Sequence, residues 1–151
     1  MHRVLFICHG NICRSTMAQF VFEDLVRRAG REGEFLVDSA ATSREELGHP
    51  PHHGTVSKLA EVGVPVGKHR ARQMRADEYA DWDVIAYMDG ENARGLARIL
   101  GDAGDPEGKC RRLLGFAGVE RDVADPWYTG GFDATYADVL AGCTALLERL
   151  G

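Results

Sequence analysis

The chain has 151 residues, 44% of them hydrophobic and 27% charged, the composition of an ordinary soluble globular protein of one-domain size. Its formal net charge of −5 argues against a main partner made of nucleic acid, because a phosphate backbone needs a basic face. The apolar run Val4–Cys8 is far too short to span a membrane or form a signal-peptide core, and no positively charged leader precedes it, so neither membrane insertion nor export is expected.

Strand and helix signals alternate along the chain. Arg3-Val4-Leu5-Phe6-Ile7-Cys8 is a continuous β-favouring run, as in a strand covered on both faces. A helix is expected from about Ser15 to Arg28, where Met17, Phe20, Val21 and Leu25 recur at helical spacing and Gly30 supplies a stop. Phe35 to Ala40 reads as a second strand. The polar loop containing Gly48-His49-Pro50-Pro51 leads to a helix around Thr55 to Glu61. Asp83 to Met88 is a third strand, followed by a helix over Asn92 to Leu100. Arg111 to Leu114 is a candidate short fourth strand. Phe132, Tyr136, Val139, Leu140, Cys143, Leu146, Leu147 and Leu150 mark an amphipathic last helix. The alternation predicts one doubly wound α/β domain over residues 1–151, with a four-stranded parallel sheet and helices on both faces, flavodoxin-like. Ligands bind such sheets beyond the carboxyl ends of the strands, where Cys8, Ser39 and Met88-Asp89 fall.

The segment Cys8-His9-Gly10-Asn11-Ile12-Cys13-Arg14-Ser15 runs from a strand end into a helix start. Glycine and asparagine tolerate positive φ, so Gly10 and Asn11 allow a turn whose N–H groups gather around an anion, capped by the helix N-terminus. Arg14 can close that ring with a two-toothed grip on phosphate oxygens. A thiol in such surroundings falls to a pKa of roughly 3.5–7.5, which would make Cys8 a thiolate nucleophile toward phosphorus. Ser15 can donate its hydroxyl to that sulfur. Cysteine, five residues and arginine form a loose pattern alone, equally compatible with a buried strand-end cysteine; the strand-loop-helix setting sharpens it. The four cysteines (Cys8, Cys13, Cys110, Cys143) show neither disulfide-scaffold nor zinc spacing and fit free thiols in a reducing, cytoplasmic compartment.

This loop resembles the signature of the low-molecular-weight protein tyrosine phosphatases. The similarity continues in order through Val37-Asp38-Ser39-Ala40-Ala41-Thr42, Ala71-Arg72-Gln73, Met88-Asp89 and Asp125-Pro126-Trp127-Tyr128. The resemblance implies a phosphatase acting through a phosphocysteine at Cys8, without cofactor or metal, on tyrosine-phosphorylated proteins. Asp125 is then general acid and later general base; by itself an Asp-Pro pair is mainly a turn signal. Trp127 and Tyr128 would wall the pocket for the phenyl ring together with His9 and Ile12, and Tyr128 would be a phosphorylation candidate. Asn11, Ser39 and His69 match positions that lock the loop by hydrogen bonds, although His69 between Lys68 and Arg70 also reads as a solvated turn. Asp89 matches a residue supporting Arg14, with a helix N-cap as the equal physical reading. Cys13 can form a reversible disulfide with oxidised Cys8, or simply fill space.

His49, His52 and His53 lack a completing ligand for metal and are expected to line the pocket rim. Arg70, Arg72 and Arg75 read as solvated surface, with acidic phosphopeptides as conceivable partners. Cys110 and Cys143 read as packing residues. The chain departs from the family pattern at His9, at Thr16, where proline is common, and after Pro51. An arsenate reductase of this lineage would need two further cysteines, and Met74 to Leu100 contains none. A protein-arginine phosphatase tends to carry threonine where this chain has Ile12. A non-catalytic phosphate-binding module would not need Cys8 and Asp125. If the chain is bacterial, the resemblance points to autophosphorylating tyrosine kinases as partners.

Overall fold

The computed structural model describes residues 1–126 and 131–151. Four parallel strands, β1 (His2–Cys8), β2 (Phe35–Ala41), β3 (Val84–Tyr87) and β4 (Cys110–Arg112), form one sheet in the order β2-β1-β3-β4. Around it lie α1 (Arg14–Arg28), α2 (His53–Glu61), α3 (Gly90–Leu100) and α4 (Phe132–Arg149). This is the doubly wound flavodoxin-like arrangement in four strands. β1 is central, and Val4, Leu5, Phe6 and Ile7 are wholly buried, which is why their run lacks polar alternation.

Each face of the sheet has its own core. On one, Phe6, Met17, Phe20, Phe22, Leu113, Val139 and Leu146 join the sheet to α1 and α4. Phe22 packs edge-on against Phe6 and Phe35, with ring centroids 5.6 and 5.5 Å away. Such pairs add about 0.5–1.5 kcal/mol to the burial of the rings themselves. On the other face, Leu5, Ile7, Met74, Trp82, Ile85, Leu96 and Leu100 sit beneath α3, with Cys110 packed at the margin. Cys143 is fully buried, so both cysteines serve packing as expected.

Several element ends differ from the sequence expectation by one or two residues, and two departures change the local structure. β4 begins and ends earlier than Arg111–Leu114, because Leu113 and Leu114 turn into a 3₁₀ segment, Leu113–Ala117, that buries both side chains. A second 3₁₀ segment, Ala76–Asp81, lay unnoticed because its polar sequence has no apolar period. The strand order puts the topological switch between β1 and β3. The carboxyl ends of those strands carry Cys8 and, two residues beyond Tyr87, Asp89.

Candidate active site

The loop between Cys8 and Arg14 turns on one residue. Asn11 has φ of +60°, the only described non-glycine in the left-handed region. Its side chain is fully buried and uses its whole hydrogen-bonding capacity. Nδ2 donates to Ser15 Oγ at 2.8 Å and Ser39 Oγ at 2.9 Å. Oδ1 accepts from the Arg72 N–H at 3.2 Å and from His69 Nε2 at 2.8 Å. Ser39 in turn donates to Gln19 Oε1 at 2.6 Å. Burial pushes the His69 imidazole toward its neutral form, helped by Arg72 and against the pull of Asp38, whose carboxylate lies 3.7 Å from Nδ1. The single N–H of that neutral ring is then on Nε2, facing Asn11.

Gly10 does not supply the positive φ that its identity suggested. A β-carbon there would approach Glu46 Cγ to 3.3 Å, so the glycine leaves room for the loop that follows β2. The carbonyls of the phosphate-loop candidate are bound from outside. Thr42 N donates to Cys8 O at 3.0 Å, Ser43 N to His9 O at 3.1 Å, and His52 N to Ile12 O at 2.8 Å.

Cys8 Sγ lies at the base of a cleft of about 700 Å³. It accepts the Asn11 N–H at 3.3 Å and lies 3.0 Å from Ser15 Oγ. Because Ser15 Oγ already accepts from Asn11, its own hydrogen is free to point at the sulfur. Arg14 enters from the first residue of α1 with 5% of its side chain exposed. Nη1 donates to Val123 O at 3.2 Å, and Nη2 lies 2.8 Å from Asp89 Oδ2 and 3.5 Å from Asp125 Oδ2. Burial opposes the Arg14 cation, but the charges of Cys8, Asp89 and Asp125 outweigh it and hold the guanidinium above its usual value. Asp89 also caps α3, accepting from Asn92 N at 2.8 Å, so both readings of this residue hold at once.

The family described as low molecular weight phosphotyrosine protein phosphatase matches residues 3–151. The chain belongs to this family. It is 39% identical, over 99% of its own length and 96% of the relative's, to the low molecular weight protein-tyrosine-phosphatase YfkJ of Bacillus subtilis. The crystal structure of YfkJ superposes with a TM-score of 0.91 at 38% identity, covering 99% of this chain and 94% of that one. The human low molecular weight phosphotyrosine protein phosphatase is 37% identical over 97% of this chain and 94% of its own. A Drosophila arginine phosphatase shares the fold at a TM-score of 0.84 and 27% identity, covering 97% of this chain and 96% of its own.

The cleft of this phosphatase is also lined by His9, Gly10, Ile12, Cys13 and Asp125. Burial, the charge of Cys8 and that of Asp125 push the Cys13 thiol up to about 12. Trp127 and Tyr128 lie outside the described residues. His49, His52 and His53 do not line the cleft. His52 instead stacks on His53 and on Phe132, with centroids 4.2 and 5.7 Å away, while its backbone braces Ile12. Arg72 is not solvated surface. It forks onto Asp38 and the buried Glu78, with contacts of 3.0–3.2 Å.

Sequence reasoning missed Gln19, Asp38, Glu78, and the rim carboxylates Glu45, Glu46, Glu91 and Asp122. The rim had one usable signal, since Glu45-Glu46 follows β2 and Glu91 follows β3, at the carboxyl edge of the sheet. Among the described residues no cluster is suited to a metal ion, and no helix is long and apolar enough to cross a membrane.

Proposed function

We propose that this phosphatase hydrolyses phosphotyrosine in proteins through a phosphocysteine at Cys8, within one catalytic domain that spans the chain. The observation that carries the reading is the position of Cys8 Sγ, 3.3 Å from the Asn11 N–H and 3.0 Å from Ser15 Oγ, in the same cleft as Arg14 and Asp125. With the loop carbonyls of Cys8, His9 and Ile12 bound outside, the remaining N–H groups and Arg14 serve the equatorial phosphate oxygens. Cys8 attacks phosphorus in line and the P–O bond to the tyrosine breaks. Asp125 protonates the departing phenolate, whose conjugate acid has a pKa of about 10. Asp125 then takes a proton from water as it attacks the phosphocysteine, and Cys8 leaves with the Ser15 hydroxyl directed at its sulfur. Charge stabilisation and positioning carry the chemistry.

Ile12 in the cleft lining supports an aryl ring over a guanidinium as the group beside the phosphate. The free thiols of Cys8 and Cys13 in one cleft support a protective reaction. After a peroxide oxidises Cys8 to a sulfenic acid, the Cys13 thiol condenses with it, forming the disulfide and releasing water. Four free cysteines also support a reducing, cytoplasmic setting. If the source is bacterial, an autophosphorylating tyrosine kinase is the expected protein partner.

The test compares the parent with Cys8→Ser and Asp125→Ala on phosphotyrosine, p-nitrophenyl phosphate and phosphoarginine. Cys8→Ser should abolish turnover. Asp125→Ala should lose roughly 10²–10⁴-fold on phosphotyrosine and less on the ester with the better leaving group. Turnover that survives Cys8→Ser, or a parent faster on phosphoarginine, would overturn the reading.

A further inference from the structure

His9 stands between two carboxylates that come from different elements. Its Nε2 lies 3.0 Å from Glu45 Oε2, in the loop after β2, and its Nδ1 lies 3.7 Å from Glu91 Oε1, in the first turn of α3. Both contacts are ion pairs by distance, so the imidazolium attracts both carboxylates and the neutral ring carries no charge to offset either. The other rim carboxylates have basic neighbours of their own. Glu46 pairs with His49 Nδ1 at 2.6 Å and Asp122 with Arg112 Nε at 3.8 Å. Among the described residues, His9 is the ion-pair partner of both Glu45 and Glu91.

The charged and titratable groups facing His9 across the cleft are Glu45 and Glu46 from the loop after β2, Asp89 and Glu91 from the start of α3, Asp122 and Asp125 from the segment before α4, and Cys8, Cys13 and Arg14 from its own loop and α1. Among the described residues of that lining, Arg14 is the only other basic side chain, and it is already held by Asp89 and Asp125. A phosphate dianion therefore enters past uncompensated negative charge unless His9 is protonated.

We propose that protonated His9 is a positioning residue that ties Glu45 to Glu91 across the cleft mouth and masks their charge from the incoming phosphate. This rests on the reading that the cleft takes a phosphate monoester. Loss of the His9 proton frees both carboxylates to repel the substrate, so the effect falls on KM more than on kcat.

Parent, His9→Gln and His9→Lys are compared at about pH 5.5 and about pH 8 for KM and kcat on phosphotyrosine and for inorganic phosphate binding by calorimetry. Comparing variants at the same pH cancels the titration of the phosphate itself. His9→Gln should raise KM about three- to fivefold more at the lower pH than at the higher, the scale of exposed charge pairs. His9→Lys should keep KM low at both. Glu45→Gln/Glu91→Gln in the parent should flatten the same pH dependence. An equal His9→Gln effect at both pH values, or His9→Lys behaving like His9→Gln, would overturn the proposal. The phosphate titration separates the two readings. A parent that binds phosphate in a His9-dependent way but fails to turn over phosphotyrosine would sink the proposed function and leave this inference standing.

Discussion

Arg14 and Asp89 meet at 2.8 Å, Nη2 to Oδ2, and so join the first turn of α1 to the first turn of α3 at the base of the cleft. The other carboxylate oxygen of Asp89 caps α3 through Asn92 N. Substitution separates the two duties. Both Asp89→Asn and Asp89→Ala lose the ion pair to buried Arg14, but Asn retains a good N-cap, so Asp89→Asn should be about 1 kcal/mol more stable than Asp89→Ala. Both release Arg14 from its nearest anchor, and kcat/KM should fall on the order of 10²-fold, the scale of a small misplacement of a catalytic group. Thermal melts beside steady-state kinetics check this; equal stability of the two variants would refute the capping role.

Asn11 carries both a strained backbone and a complete set of side-chain bonds. Alanine loses the bonds and still has to adopt the left-handed conformation, at about 1–2 kcal/mol. Glycine loses the bonds without that strain. Asn11→Gly should therefore be more stable than Asn11→Ala by about 1 kcal/mol, the reverse of the order in a helix interior. Urea denaturation of the pair measures the difference.

Arg72 holds Glu78, a carboxylate with 4% of its side chain exposed. Burial would raise the Glu78 pKa, but bonds from Arg72, the Arg75 N–H and Trp82 prevail and hold it below the usual carboxylate range. A depressed pKa contributes stability that is present above the unfolded value, about 4.3, and is lost as pH falls through the folded value. Arg72→Ala should cost about 2–4 kcal/mol at neutral pH, somewhat less than a fully buried pair because Arg72 is partly solvated. Its stability should also decline less steeply below about pH 4 than that of the parent, since the partner that depresses Glu78 is gone. Denaturation midpoints across an acid series test both statements.

With its thiol pushed up to about 12, Cys13 stays protonated at neutral pH. Iodoacetamide near neutrality should therefore leave Cys13 almost unmodified. In Cys8→Ser the second-largest cause of the shift, the charge of Cys8, is removed while the largest, burial, remains. Cys13 should react faster in that variant yet still more slowly than a free thiol. Peptide mapping by mass spectrometry over a pH series reads both rates; alkylation of parental Cys13 at a free-thiol rate would contradict the prediction.

What was legible in the sequence was local. A buried strand reads as an uninterrupted apolar run, a helix start as a polar junction, and Cys8 to Ser15 had only to be read in order to show a strand, an anion-shaped turn and a helix. The family resemblance added Asp125, which nothing in an Asp-Pro pair reveals by itself. What lies between distant segments was decided only when the sheet formed. Arg72 looked like surface because Asp38 is 34 residues away, and their contact exists only once β2 is laid beside the segment after α2. Gly10 looked like a turn residue, but its φ is not positive, and what crowds it is Glu46 from the loop after β2. His52 and His53 looked like a rim, but His52 stacks between His53 and Phe132. The same physics applies at His9. Its residue type and place in the loop follow from the sequence, but the two carboxylates that give its charge a use arrive from the ends of different strands. Paired charges are a property of distance, and distance belongs to the fold.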